Sequence, residues 1–243
     1  MNAGRRFRAV LFDLPGTIIS TDDNLNAHLH LMESLVERYG LPDEPVFLLE
    51  KFNARISEPY ERLDRGWVSH RETVTAVLGG FLKARSVKVR PRDEEWFYDE
   101  YLRKHQAFVR LLPGAQALLA SCAGLKLHLA ALCNMDRDYL EKQLKWLDAL
   151  DRFDSLTTPE DAGAPLPDGR MLSAALARAA AHPGQAIFVG SSVERAVAPA
   201  RRLGLTTVLV DAGMVQTDLS SADYTASHLA RVANIIVELA YGP

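Results

Sequence analysis

The feature that most constrains this fold is a change of rhythm along the chain. A short apolar run at 8–13 is bounded by Arg8 and by the Pro15-Gly16 turn, which suits a buried strand. From about Asp22 to His105 the pattern is helical: Leu25, Leu29, Met32, Leu35 and Val36 recur at helix spacing and stop at Gly40-Leu41-Pro42. Segments 46–63, 69–82 and 94–108 read as further helices, with no convincing strand among them. At Leu112-Pro113-Gly114 helices and strands begin to alternate. Pro113 is placed to open a helix to about Ala123. Strands are expected at 125–133, 155–158, 186–189 and 206–210, and helices at 137–146, 172–181, 193–203 and 226–240. This predicts an α/β protein: a doubly wound parallel sheet, with ligands at the strand carboxyl ends. The expected organisation is a core of residues 1–18 and 110–243, with a helical insertion at 19–109.

A chain of 243 residues can bury a substantial core. Its formal net charge of −3 leaves no nucleic-acid footprint and no strong steering of anionic partners. Cys122 and Cys133 are too few for a disulfide framework and sit in apolar segments, so a reduced, cytoplasmic setting is expected. The basic stretch 1–8 leads into a strand too short for a secretory leader, and no apolar run reaches membrane-spanning length.

Four segments carry the residues of chemical interest. They are Val10-Leu11-Phe12-Asp13-Leu14-Pro15-Gly16-Thr17, Cys133-Asn134, Leu166-Pro167-Asp168-Gly169, and Gly190-Ser191-Ser192-Val193-Glu194-Arg195-Ala196. With Leu112-Pro113-Gly114, Arg152-Phe153-Asp154 and Arg202-Leu203-Gly204, their order and spacing resemble the haloacid dehalogenase-like (HAD) hydrolases over roughly residues 7–214. The helical insertion resembles the cap of the phosphoglycolate phosphatase-like and L-2-haloacid dehalogenase-like branch, which implies a Rossmannoid core beneath it.

The resemblance makes Asp13 the position of the nucleophile and Pro15 that of the general acid, a role proline cannot fill. Pro15 also lacks an amide donor. Cys133 stands where a phosphoryl-holding hydroxyl belongs; a thiol is a weak donor, and a small buried core residue is its plainer reading. Leu166 replaces the family's lysine, while Ser191 and Ala196 replace its metal-binding carboxylates. Arg170 belongs to a helix start that points away. Asp13 is then the only carboxylate left at these positions, too few for a hard cation, so no Mg²⁺ cofactor is expected. Asp13 itself reads as a vestigial nucleophile or as a carboxylate accepting amides from the turn that follows. Gly16, Asn134, Ser191 and Ser192 are the candidate ligand contacts, through amides and hydroxyls lining a surviving cleft.

Within the insertion, His28 and His30 are two apart and cannot share a helix face, so they are no metal pair. Arg55, Arg62 and Arg65 could face an anion, although surface charge is their plainer reading. L-2-haloacid dehalogenases also dispense with metal and carry serine in the fourth segment. They still require a lysine, an aspartate and an asparagine where this chain has Leu166, Ala196 and Val193. The expected function is therefore that of an impaired phosphatase, a pseudoenzyme binding an unknown small molecule or protein, itself as a homodimer included. The alternative is a hydrolase with an atypical site built on Asp13.

Overall fold

The computed structural model describes residues 6–61, 67–211 and 219–242. The chain divides into two compact units, Met1–Ser20 with Arg110–Pro243, and Thr21–Val109. Ile19 and Ser20 stay with the first unit. Ile19 bridges Pro15 and Leu111, and the Ser20 amide donates to the Arg110 carbonyl at 2.9 Å.

Among its described residues the second unit holds four helices: α1 (Asn24–Tyr39), α2 (Pro45–Glu61), α3 (His70–Lys83) and α4 (Pro91–Phe108). Ser69 caps α3 by accepting the Glu72 amide. Helix α4 starts three residues before Glu94, because Pro91 suits a first helical turn and the Asp93 carboxylate accepts the Arg90 amide at 2.9 Å.

The first unit alternates β1 (Ala9–Asp13), α5 (Ala115–Gly124), β2 (His128–Leu132), α6 (Arg137–Trp146), β3 (Ser155–Thr157), α7 (Pro159–Ala162), α8 (Gly169–Arg178), β4 (Ala186–Gly190), α9 (Ala198–Arg202), β5 (Thr206–Val210), β6 (Tyr224–Ala226) and α10 (Leu229–Tyr241). The six strands form one parallel sheet in the order β3-β2-β1-β4-β5-β6. Apolar runs such as Ala9-Val10-Leu11-Phe12 follow from burial on both faces. On one face Leu11, Leu132 and Phe188 pack with Met171, Leu172 and Leu176 of α8 and Ala200 of α9. Helices α5 and α10 pack together and against β2 and β5.

Several boundaries differ from expectation. Gly114, not Pro113, precedes the first residue of α5. Leu125 still caps that helix, so β2 begins at His128. Asp168 accepts the Arg170 amide and starts α8 three residues early. The expected helix 193–203 is a π-helical turn, Val193–Val197, followed by α9. The expected terminal helix at 226 starts at Leu229, because Tyr224–Ala226 pairs with β5. Among the described residues no helix is long and apolar enough to cross a membrane.

The helical unit buries a cluster of histidines. His28 Nδ1 lies 2.6 Å from Asn53 Oδ1, and its ring centre is 5.1 Å from that of His105. His105 Nδ1 is 2.9 Å from the Tyr101 carbonyl, and His70 Nε2 is 2.8 Å from the Tyr101 hydroxyl. Burial, reinforced by His28 and His70, pushes His105 down to about 3, and burial also lowers His28. The unfolded chain therefore takes up these protons first. The stabilising contribution is intact above about 6.5 and is lost as pH falls below it. We expect stability to drop by roughly 1.4 kcal/mol per pH unit from His105 alone between pH 6.5 and the low end of that window. Urea midpoints at pH 7 and pH 5 measure this, and His105→Phe should flatten the difference. A wild-type midpoint that does not move would refute it.

Candidate active site

Strand β1 lies between β2 and β4, and the chain order reverses there, so the loops after β1 and β4 sit side by side at the sheet's switch point. Asp13 ends β1 opposite Leu132. The loop that follows folds on itself. The Leu14 amide donates to Leu132, the Gly16 amide to Ile19, and the Thr17 and Ile18 amides to Leu14. The Gly16 amide, expected to face a ligand, is therefore committed within the turn. Gly16 has φ +71°, and a Cβ there would stand 2.9 Å from Ser191 Oγ, so only glycine fits without strain. The Ser191 hydroxyl donates to the Pro15 carbonyl at 3.3 Å, tying the two loops together. The Thr17 hydroxyl is fully buried and has no hydrogen-bond partner among the described residues.

The remaining positions are distributed unequally. Leu166 and Ala196 are buried in one apolar cluster with Leu11, Leu132 and Phe188. Side chains alternate along a strand, so Asp13 shares the face of Ala9 and Leu11, on which this cluster lies. Gly190 belongs to the same packing, because a Cβ there would meet the Phe188 ring at 2.9 Å. Asn134 does not offer its side chain to a ligand. Its Oδ1 accepts the Leu166 amide at 2.7 Å and its Nδ2 donates to the Leu166 carbonyl at 2.8 Å. Asp168 is bound to Arg170, which is exposed. Arg55 lies over the Phe81 ring, and Arg62 and Arg65 fall outside the described residues. His30 pairs with Glu33.

Burial pushes the Asp13 carboxyl up to about 7, opposed by the charge of Arg195 and by the Leu14 amide. At neutral pH Asp13 is thus only partly ionised, which weakens it as a nucleophile. Burial and the neighbouring Asp13 raise the Cys133 thiol well above its usual range, and burial pushes Cys122 up to about 12. Both are unreactive packing residues. Pro15 supplies no acid, and Leu166 no charge for an oxyanion. Mg²⁺ needs several oxygen ligands. Among the described residues no grouping of three or more histidine, cysteine or acidic side chains can hold a metal, and the Ser191 hydroxyl is directed at a carbonyl. This donor set does not fit Mg²⁺.

The sequence shows Glu194 and Arg195 as charge near these positions but out of frame, and does not pair Arg195 with Asp13. The adjacency of Arg195 to Ala196 was visible, but the wide turn that directs it was not. The sequence reading also missed the Asp161 carboxylate, which binds Arg137 and Arg178 beside β3.

The fold and these loops define a Rossmannoid hydrolase core. The chain matches the haloacid dehalogenase-like hydrolase family over residues 7–204, and it belongs to that family. It is 31% identical over 180 residues to the Homo sapiens haloacid dehalogenase-like hydrolase domain-containing protein 3, covering 71% of this chain and 70% of that protein. It is 37% identical over 101 residues to the Bos taurus protein of the same name, covering 42% of this chain and only 40% of that relative. Its fold is similar to that of a 2-haloacid dehalogenase from Pseudomonas syringae pv. Tomato DC3000, with TM-score 0.74, 18% identity and coverage of 96% and 99% of the two chains.

The displaced Asp13 titration has a sign. A carboxyl raised from 3.8 to about 7 favours the folded state while protonated, and that advantage is lost as pH rises across this window. We expect Asp13→Asn to be more stable than wild type at pH 8, by about 1–3 kcal/mol after allowance for partial exposure, and to lose this gain near pH 4. Urea midpoints of both proteins at the two pH values check it. No gain at pH 8 would mean that the carboxylate is already well satisfied.

Proposed function

We propose that this HAD-family chain is a pseudoenzyme, impaired as a phosphatase, whose core acts by binding a small molecule or a protein. We also propose that residues 21–109 are its cap and that it has no Mg²⁺ cofactor. The observation that carries this reading is the burial of Leu166 and Ala196 in the apolar cluster on the face of Asp13. Charge stabilisation and metal ligation would need polar groups at those two places.

The other substitutions act in the same direction. Loss of a positioned general acid costs roughly 10²–10⁴-fold in rate. Loss of metal charge stabilisation removes several kcal/mol more. The two signs of charge have gone together. A lysine kept without the carboxylates would be a buried, unpaired ammonium, and carboxylates kept without it would repel one another.

The expected outcome is no Mg²⁺-dependent turnover of aryl phosphates and no Mg²⁺ binding in the millimolar range by titration calorimetry. Turnover that rises with Mg²⁺ and disappears in Asp13→Asn would return the chain to the working hydrolases. The variant combining Pro15→Asp, Leu166→Lys, Ser191→Asp and Ala196→Asp should gain measurable Mg²⁺ affinity. A folded variant with a flat titration would remove the basis for these assignments.

A further inference from the structure

The helical unit carries a network of polar rings that the site chemistry does not use. Four of the chain's seven histidines, His28, His30, His70 and His105, lie in this unit. His70 and His105 are buried, whereas His182 and His228 of the other unit are exposed and His128 is half-buried. The network draws on all four helices. His28 of α1 meets Asn53 of α2 through Nδ1, packs on the Phe52 ring at 4.9 Å and lies 5.1 Å from the His105 ring of α4. Tyr101, one turn before His105, lies against it with ring centres 3.9 Å apart. The Tyr101 hydroxyl is 2.8 Å from Nε2 of His70, the first residue of α3.

The charged groups flanking the network have partners of their own. Glu100 of α4 holds Arg103 and Lys104, and His30 of α1 pairs with Glu33. Arg71 of α3 lies over the Tyr98 ring and Arg55 of α2 over Phe81. A proton taken up by a ring of the network therefore brings a charge into an apolar interior, beside other imidazoles. It also converts a nitrogen that can accept a hydrogen bond into one that can only donate. Helix α3 is locally weak. It carries Gly79-Gly80 in its interior, and glycine is among the poorest helix formers. It depends on packing. Its start is tied to α4 by His70, and the residues just past its end by the Arg85–Asp43 ion pair.

We propose that this histidine–tyrosine network is an acid-sensitive latch of the helical unit. In mildly acidic solution α3 parts from α4 at its His70 end and the helices open, while the parallel sheet of the other unit holds. This differs from a uniform loss of stability, because the buried histidines among the described residues all belong to one unit. The latch owes nothing to Asp13 or to a metal.

Amide hydrogen exchange of the whole chain at about pH 7.5 and about pH 5.5, each rate divided by that of an unstructured peptide at the same pH, reads the opening directly. Burial holds His105 at about 3, so the opening constant should rise roughly tenfold across this range from that ring alone. His28, lowered in the same direction, adds to it. Protection in α1, α3 and α4 should fall by at least this factor, most of all at the start of α3. Protection in β1, β4 and β5 should not fall. His105→Asn and His28→Asn each keep a polar atom where Nδ1 stands, and each should remove part of the fall. His182→Gln, at an exposed position of the other unit, should leave it intact. Equal falls in the two units, no fall in α3, or a fall undiminished in both His105→Asn and His28→Asn would overturn the proposal.

Discussion

The placement of β1 between β2 and β4 is the constraint from which the rest of the site follows. It fixes which loops meet, those after Asp13 and Gly190, and it fixes which face Asp13 shares. A strand has only two faces, so the residues on the Asp13 face set the dielectric around its carboxyl. In this chain they are apolar, Leu166 and Ala196 included. The raised Asp13 titration, the unreactive Cys133 and the unsuitability of the site for a cation all share that cause.

The sheet was legible in the sequence where burial was complete. The strands at 9–13, 186–190 and 206–210 carry buried apolar runs at 9–12, 186–189 and 208–210. Strand β6 was not legible, because Tyr224–Ala226 is three residues long and largely exposed, and its place is set by pairing with β5. The turn at Val193–Val197 reads locally as ordinary helix. In its widened form it buries Ala196 and Val197, which no local pattern encodes.

The site was legible as a set of positions and less so as a set of partners. Asp13, Pro15, Ser191 and Ala196 take their expected places only through the family resemblance. That Asn134 would spend both side-chain atoms on Leu166, thirty-two residues away, could not be. Nor could the inward closure of the Gly16 amide onto Ile19. Long-range polar pairing depends on geometry of about an ångström, which sequence periodicity does not resolve.

The Ser191–Pro15 contact also constrains which side chain position 191 can carry. A hydroxyl can donate to the Pro15 carbonyl, and it does so at 3.3 Å. A carboxylate in its place would set one acceptor against another, beside the backbone of Gly16, with nothing positive between them. An acidic side chain at this position is thus disfavoured unless a cation is held beside it. The serine thus latches the loop after β4 to the loop after β1, so a change at 191 would be felt across the turn at Gly16 as well.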